Sequence, residues 1–571
     1  MILWLVLLLL VLSSAYWGWY LGLSLLADPD TCFLLGTGRY ILEHGLPARD
    51  VFSWTLADSD RVLILYQWLS EVIFYLLYKG GGALALILSS TALLFGSFIV
   101  VPYLVSRRFA SGSLPTLFVA SFAFMAGSFH FFLRPELVSY ILLSVLYLGI
   151  CLYFEKLMAV NWQEKPKYRL ALTFSSFIFF AFWANCHTGF FAGLIVLAVL
   201  SVVAAVMDIG KLSLGAKAAS GAKTVTKPEA TAVPDAGADG KLLIVAQDAA
   251  LALFGAFVGS FAQPYGFELY RHILSFFSVS DKNVELAGLT WRELIFFGSF
   301  RPFTLLLLLF ITVASVNLFK LFGPGPDRVE KSDIGNTAGS GGSSSVFSSG
   351  SVFSSSSTWR ALNLALLLLT VISILLSLLC RRLVPFAAIS ETFYFVVATR
   401  SLGLAHFQEA IAKFTAGPRR FLAFLPVCAL ILGASTSARA FHVHVPQDSS
   451  SFLPPDAAIK FLEKSRPVGR MLNDPQFGDV LIFRLGAGAQ NFIDTRFDLY
   501  GEKLTNDFWK MANGMENWRE LLDQYKIDWV FLIPDYRLIR LLNESGKWQE
   551  VYRDPSAVIM SRREPIAGRM P

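Results

Sequence analysis

Charge is scarce in this sequence. Asp, Glu, Lys and Arg together make up 16% of its 571 residues, against roughly 25% in a soluble globular chain. That is too little to coat the several soluble domains this length would otherwise suggest. Cysteine is scarce as well: Cys32, Cys151, Cys186, Cys380 and Cys428 are the five present. They form no CxxC pair and no regular spacing, which predicts neither a disulfide framework nor a zinc cluster. Free thiols packed among helices are the expectation. Walker loops, GxSxG, HExxH and nucleotide fingerprints are missing from any supporting context, which argues against an ATP-driven pump. Gly80-Gly81-Gly82 reads as a turn between apolar helices.

Apolar residues are plentiful: 55% of the chain, with 51 Phe. Crossing ~30 Å of hydrocarbon takes about 20 apolar residues. Candidate spans lie near 2–26, 82–105, 114–132, 137–154, 169–186, 189–207, 244–262, 302–322, 360–380, 384–404 and 421–440, with 62–79 ambiguous. The first has no basic n-region and stays apolar to Leu26, so it reads as an uncleaved anchor despite Ser13-Ser14-Ala15. The net charge of +6 suits a membrane protein with basic cytoplasmic loops and is no argument for nucleic acid. Loops 155–169, 211–241 and 413–420 are basic and predicted cytoplasmic; the 27–61 loop, with six acids against three Arg, is predicted outside. Arg107 and Arg108 also look cytoplasmic, which would leave 62–79 on the outer surface.

The fold class expected is a polytopic α-helical membrane protein of about 11–13 transmembrane helices with a small C-terminal α/β domain outside the membrane. Residues 1–445 form the membrane domain and 446–571 the second. The stretches 208–241 and 323–358, rich in Ala, Lys, Gly and Ser, read as disordered cytoplasmic linkers. In the C-terminal part, helices are predicted at 455–465, 516–525 and 536–544. Strands are predicted at 468–472, 479–483, 490–494, 528–533, 548–552 and 557–561.

Polar residues beside membrane spans are costly and often functional. Asp28-Pro29-Asp30 follows the first apolar segment. A carboxylate there can accept a proton from a hydroxyl or hold a divalent cation; the plainer reading is that the acids cap an apolar helix. Arg134-Pro135-Glu136 and Trp183-Ala184-Asn185-Cys186-His187-Thr188-Gly189 interrupt further apolar pairs. Arg134, Glu136, Asn185 and His187 are therefore candidate substrate-binding groups, with interhelical hydrogen bonding as the alternative. Arg271, after Gln263-Pro264-Tyr265-Gly266, and Arg381-Arg382 are basic residues placed outside against the usual bias. A lipid phosphate would explain them; so would anchors that snorkel to the interface. His442-Val443-His444 has no third ligand nearby and is a weak metal signal.

The order of these motifs resembles a known family. Asp28-Pro29-Asp30, Gly38-Arg39-Tyr40-Ile41-Leu42-Glu43-His44-Gly45-Leu46-Pro47, Asp50-Val51-Phe52-Ser53 and Tyr66-Gln67-Trp68-Leu69-Ser70-Glu71 are followed by the three clusters above. Asn473-Asp474, Gly478 and Phe492 to Gly501 complete the series. The series resembles bacterial multispanning proteins of the GT-C glycosyltransferase superfamily, relatives of protein O-mannosyltransferases and the lipid A aminoarabinose transferase.

The resemblance implies an inverting membrane transferase of the cell envelope, in the bacterial inner membrane. It would move a sugar from a polyprenyl-phosphate-type donor to a glycan, lipid or protein acceptor outside. It maps the acidic catalytic residue to Asp28 or Asp30, and lipid-phosphate binding to Arg381 or Arg382, with Arg271 behind them. Some relatives use a divalent metal and some do not, so metal use stays open and no cofactor is certain. The chain departs from the pattern where Phe33-Leu34-Leu35 follows Cys32 in place of a His, at Tyr66-Gln67-Trp68-Leu69 for His-Glu-Trp-Leu, and at Asp494-Thr495-Arg496 for Asp-Gly-Arg. The alternative function is a non-catalytic lipid or glycan transporter, or an envelope assembly scaffold, of the same fold.

Overall fold

The computed structural model describes residues 28, 30–57, 62–109, 113–158, 166–221, 241–276, 288–296, 300–322, 357–402, 455–465 and 468–563. The expected spans at 2–26 and 421–440 and the His442–His444 pair lie outside them, as does nearly all of 323–358. The described residues fall into two compact units. The first comprises Met1–Thr91, Phe131–Pro135 and Phe421–Pro571, and the second Ala92–His130 and Glu136–Arg420.

In chain order the helices of the first part are α1 (Asp30–His44), α2 (Trp68–Phe95), α3 (Val101–Phe109), α4 (Ser113–Gly127), α5 (Glu136–Met158), α6 (Pro166–Cys186) and α7 (Phe190–Gly221). Then come α8 (Lys241–Gly259), α9 (Phe267–Phe276), α10 (Trp291–Phe296), α11 (Arg301–Phe322), α12 (Ser357–Leu379) and α13 (Val384–Leu402). Eight helical stretches among the described residues are long and apolar enough to cross a membrane, from Trp68–Phe109 to Arg381–Thr399. The chain is a multi-pass integral membrane protein. The ambiguous 62–79 segment is helical from Trp68 and is joined to the next span through a kink at Gly81 and Gly82, the second at φ +62. The apolar segment expected at 114–132 forms α4, whose 15 residues fall short of the usual crossing length. Helix α7 continues through Gly221, so the linker expected from 208 does not begin there: the apolar helix carries on into the Ala- and Lys-rich stretch.

The second unit is packed largely by aromatic side chains. Trp183, Trp359, Tyr140, Tyr147 and Tyr394 are among its largest fully buried residues. Helices α6 and α8 approach backbone to backbone. A Cβ on Gly255 would stand 2.2 Å from the Thr173 carbonyl oxygen, and one on Gly259 2.3 Å from that of Phe177. Lipid gives no hydrophobic drive between helices, so such small-residue seams supply van der Waals contact instead. A buried polar knot joins α11, α12 and α13, where Asn317 Nδ2 donates to Asn363 Oδ1 (3.2 Å) and to the Tyr394 hydroxyl (3.1 Å).

The first unit holds α14 (Asp456–Ser465), β1 (Arg470–Asn473), α15 (Pro475–Leu485), α16 (Phe497–Ala512), α17 (Trp518–Gln524), β2 (Ile527–Leu532), α18 (Arg537–Ser545), β3 (Trp548–Arg553) and β4 (Val558–Arg562). Its sheet has the order β1-β2-β4-β3. β1 is parallel to β2, with Leu472 opposite Val530; β4 is antiparallel to β2 and β3. Helix α1 packs beside both α2 and α15 because two glycines on it carry no side chain. A Cβ on Gly38 would lie 2.2 Å from the Glu71 carbonyl oxygen, and one on Gly36 2.8 Å from Ile482 Cγ2.

Two expected strands are corrected. Residues 479–483 lie inside α15. The Asp474 carboxylate accepts the Gln476 amide (2.9 Å) and Pro475 occupies the first turn, a helix start that outweighs the short apolar run. Residues 490–494 form no strand but a single bridge, Asn491 to Ser53. Helix α16 was not expected. Gly501 at φ +75 breaks its course, which hides the spacing of Tyr500, Phe508 and Met511, all in the core.

Candidate functional site

Asp28 opens α1. Its Oδ1 accepts the Asp30 amide (3.2 Å) and its carbonyl accepts the Thr31 amide (3.1 Å), which satisfies donors the helix start leaves free. Its other carboxylate oxygen accepts Arg134 Nε. Arg134 Nη2 lies 3.1 Å from Asp30 Oδ2, and the guanidinium rests on the Phe132 ring at 5.4 Å. One arginine therefore serves two aspartates in the first unit. The Asp28 side chain is 5% exposed and that of Arg134 11%, whereas Asp30 keeps 29%. Of the two expected acids, Asp28 has both oxygens engaged and Asp30 is the accessible one.

Two neighbouring groups qualify this pair. Burial, then Asp494 and Asp30, push the carboxyl of Asp479 well above the usual carboxylate range. Burial, then Asp479, Asp456 and Asp28, push the Cys32 thiol up to about 12, so it is no nucleophile at neutral pH. Among the described residues no group of three or more His, Cys, Asp or Glu is placed to hold a metal ion. Arg134 already supplies the counter-charge to Asp28 and Asp30, so this donor set does not fit a divalent cation.

A second cluster in the same unit was not legible in the sequence. Arg496 grips Asp494 with two parallel bonds (Nε to Oδ1, 2.8 Å; Nη2 to Oδ2, 2.6 Å) and reaches Asp50 Oδ1 with Nη1 (2.7 Å). Asp50 Oδ2 accepts the amides of Phe52 (3.2 Å) and Ser53 (2.8 Å). The Tyr500 hydroxyl donates to Asp494 Oδ2 (2.6 Å) and also meets the Ser53 hydroxyl. The stretch from Phe52 is stitched to 491–492: the Asn491 amide donates to the Phe52 carbonyl (2.9 Å) and the Thr55 hydroxyl to the Phe492 carbonyl (2.7 Å). Asp494 and Arg496 thus clamp the first loop to the C-terminal sheet region.

The remaining expected residues belong to the second unit. His187 Nδ1 accepts the Gly189 amide (3.0 Å) and lies 2.8 Å from the Ser139 hydroxyl, itself an acceptor for Trp183 Nε1 (2.8 Å). With Nδ1 accepting, the neutral ring carries its proton on Nε2, which faces Glu136 Oε1 at 3.9 Å. Burial holds this imidazole below its ordinary value; Glu136 works against that and Arg382 with it. Arg382 Nη2 also lies 3.9 Å from Glu136 Oε1, so Glu136 is shared by His187 and Arg382.

Arg381 turns instead to Glu293 (3.1 Å) and the Gly288 carbonyl (3.3 Å). The Glu293 carboxyl is held below the usual range, first by the Thr290 amide and further by Thr290 and Arg381. Asn185 donates its amide to the carbonyls of Ala181 (2.7 Å) and Ala262 (2.8 Å), which is the interhelical alternative. Arg271 pairs with Glu268 on the surface, its side chain 76% exposed, and joins neither cluster.

No protein-family model matches the chain, and a search of curated proteins returns no match. Among solved structures the chain is similar to the oligosaccharyltransferase AglB from the archaeon Archaeoglobus fulgidus in complex with an inhibitory peptide and a dolichol-phosphate. That match has a TM-score of 0.48 and 11% identity and covers 91% of this chain and 69% of that one. A structure of an oligosaccharyltransferase from the same organism, tethered to an acceptor peptide, matches at a TM-score of 0.46 with 11% identity, covering 91% and 68%. The apo structure of ArnT from Cupriavidus metallidurans matches at 0.45 with 12% identity, covering 97% of each chain. Likenesses at this level assign neither a family nor a substrate.

Proposed function

We propose that the protein is a membrane glycosyltransferase that moves a sugar from a polyprenyl-phosphate-type donor to an acceptor hydroxyl, with Asp30 as the base. The observation that carries this reading is the asymmetry of the pair at Arg134. Asp28 is fixed by the helix start and the arginine, while Asp30, two residues on, keeps an accessible carboxylate. The GT-C resemblance of the motif series supports it.

In the proposed reaction Asp30 takes the acceptor's proton as the acceptor oxygen bonds to the anomeric carbon. The bond from that carbon to the phosphate oxygen breaks on the opposite face, which inverts the centre, and the lipid phosphate departs with the electron pair. Asp28 and Arg134 hold the base in place. Arg382 and Arg381 are the candidates to offset charge on the leaving phosphate. On this reading the protein sits in a bacterial inner membrane, and residues 446–571 lie outside it and help select the acceptor.

The test is sugar transfer by the purified protein from a set of labelled polyprenyl-phosphate sugars. Asp30→Asn should cut turnover ~10²- to 10⁴-fold, as loss of a general base does, and Asp28→Asn less. Undiminished transfer by both single variants and the double variant would remove the base.

A further inference from the structure

The motif Arg39-Tyr40-Ile41-Leu42-Glu43-His44 takes no part in the chemistry above, yet it forms a site of its own. Helix periodicity sets Arg39, Tyr40, Glu43 and His44 along one face at the end of α1. They make one wall of a cleft of about 290 Å³ whose other wall is Leu485–Gly488, all within the first unit. The volume is close to the ~300 Å³ at which small-molecule pockets begin. Gly486 shapes the second wall: it adopts φ +59, and a Cβ there would lie 3.3 Å from Arg39 Nη2. The Tyr40 ring is fixed by stacking on His44 (4.6 Å) and by an edge contact with Phe52 (5.5 Å).

Among the described residues neither Arg39 nor Glu43 has an ion-pair or hydrogen-bond partner. They stand four apart on the helix with Arg first, the weaker order for such a pair. The cleft therefore offers one guanidinium, one carboxylate, an imidazole and a phenol together. An anion there meets Glu43 and a cation meets Arg39; an acyl chain would strand both charges without hydrogen bonds. A neutral ring rich in hydroxyls satisfies all of them. Its oxygens accept from the guanidinium, and its O–H groups donate to the carboxylate.

We infer that the cleft between the end of α1 and residues 485–488 binds a neutral saccharide unit through Arg39 and Glu43. The inference goes beyond the transferase reading and does not require transfer to occur. It is tested by saturation-transfer NMR on the full-length protein in lipid nanodiscs. The probes are the methyl glycosides of glucose, mannose, galactose and N-acetylglucosamine, with inorganic phosphate and phosphocholine as competitors.

At least one glycoside should bind saturably, and Arg39→Met and Glu43→Gln should each weaken it about tenfold or more, the scale of losing a charged hydrogen bond. Thermal melts of both variants should match the parent protein. Three results overturn the site: no saturable glycoside signal, a signal equal in both variants, or displacement by phosphate or phosphocholine at the glycoside's own concentration. A protein that binds glycosides here without transferring sugar loses the transferase reading alone. One that transfers sugar and leaves this cleft empty of glycosides loses this site alone.

Discussion

Arg134 and Arg496 each stand between two aspartates in the same compact unit, and the two clusters part company in how far they are closed. Around Arg496 the side-chain exposures are 9% for the arginine, 1% for Asp50 and 0% for Asp494. Every carboxylate oxygen there has a donor. Around Arg134 the corresponding values are 11%, 5% for Asp28 and 29% for Asp30. One arginine and two aspartates build a closed clamp in one place and a half-open pair in the other. A buried, satisfied ion pair fixes geometry and cannot react without being dismantled. A carboxylate positioned by a neighbour but still reachable can accept a proton.

Substitutions at Arg496 and Asp30 should separate the two clusters. Arg496→Met strips the counter-charge from two buried carboxylates, a change that costs about 3–5 kcal/mol. The expected outcome is a large fall in the melting temperature of the first unit. Protease cuts within 45–65 should report the release of the first loop from the C-terminal region. Asp30→Asn should leave that melt almost unmoved while abolishing most transfer. If Arg496→Met melts like the parent protein, the clamp is not holding the loop. If Asp30→Asn proves as destabilising as Arg496→Met, the half-open pair is structural too.

These contrasts show where the sequence was readable. The eight described spans follow from apolar length, and polar residues beside them drew attention to Asp28, Asp30, Arg134, Glu136 and His187 without saying which would meet. Arg134 was expected to bind substrate, and its place against Asp28 depends on packing across 106 residues. The Arg496–Asp50 contact spans 446 residues, so no local pattern announces it. Val480-Leu481-Ile482-Phe483 looked like a buried strand, because a short apolar run fits strand and helix equally. The deciding signal, Asp474-Pro475, was present and outweighs it. Arg271 shows the converse: a cation in a suggestive loop that folds back onto Glu268 one helical turn away.

The smallest expected effect bears on the acid that senses both clusters. Asp479 is fully buried, its Oδ2 has no hydrogen-bond partner, and its Oδ1 accepts the Thr495 amide at 3.3 Å. Burial, then the charges of Asp494 and Asp30, raise its pKa in the folded chain. A group raised above its unfolded value of ~3.9 stabilises the fold fully below that pH, and the contribution is lost as pH climbs towards the folded pKa. Asp479→Asn cannot ionise, so it should equal or slightly trail the parent protein near pH 4 and overtake it as pH rises. The gain should widen steadily from pH 4 to pH 7, because the unfolded carboxyl ionises in that range while the folded one resists. Melts of both proteins from pH 4 to 8 measure it. A gap that stays constant with pH would mean that Asp479 is ionised throughout, with its charge answered by a cation rather than opposed by Asp494 and Asp30. Combining Asp479→Asn with Asp30→Asn sharpens the point. With Asp30 neutral, one source of the shift is gone, so the gain at pH 7 from the Asp479 change should shrink while Asp494 still maintains part of it.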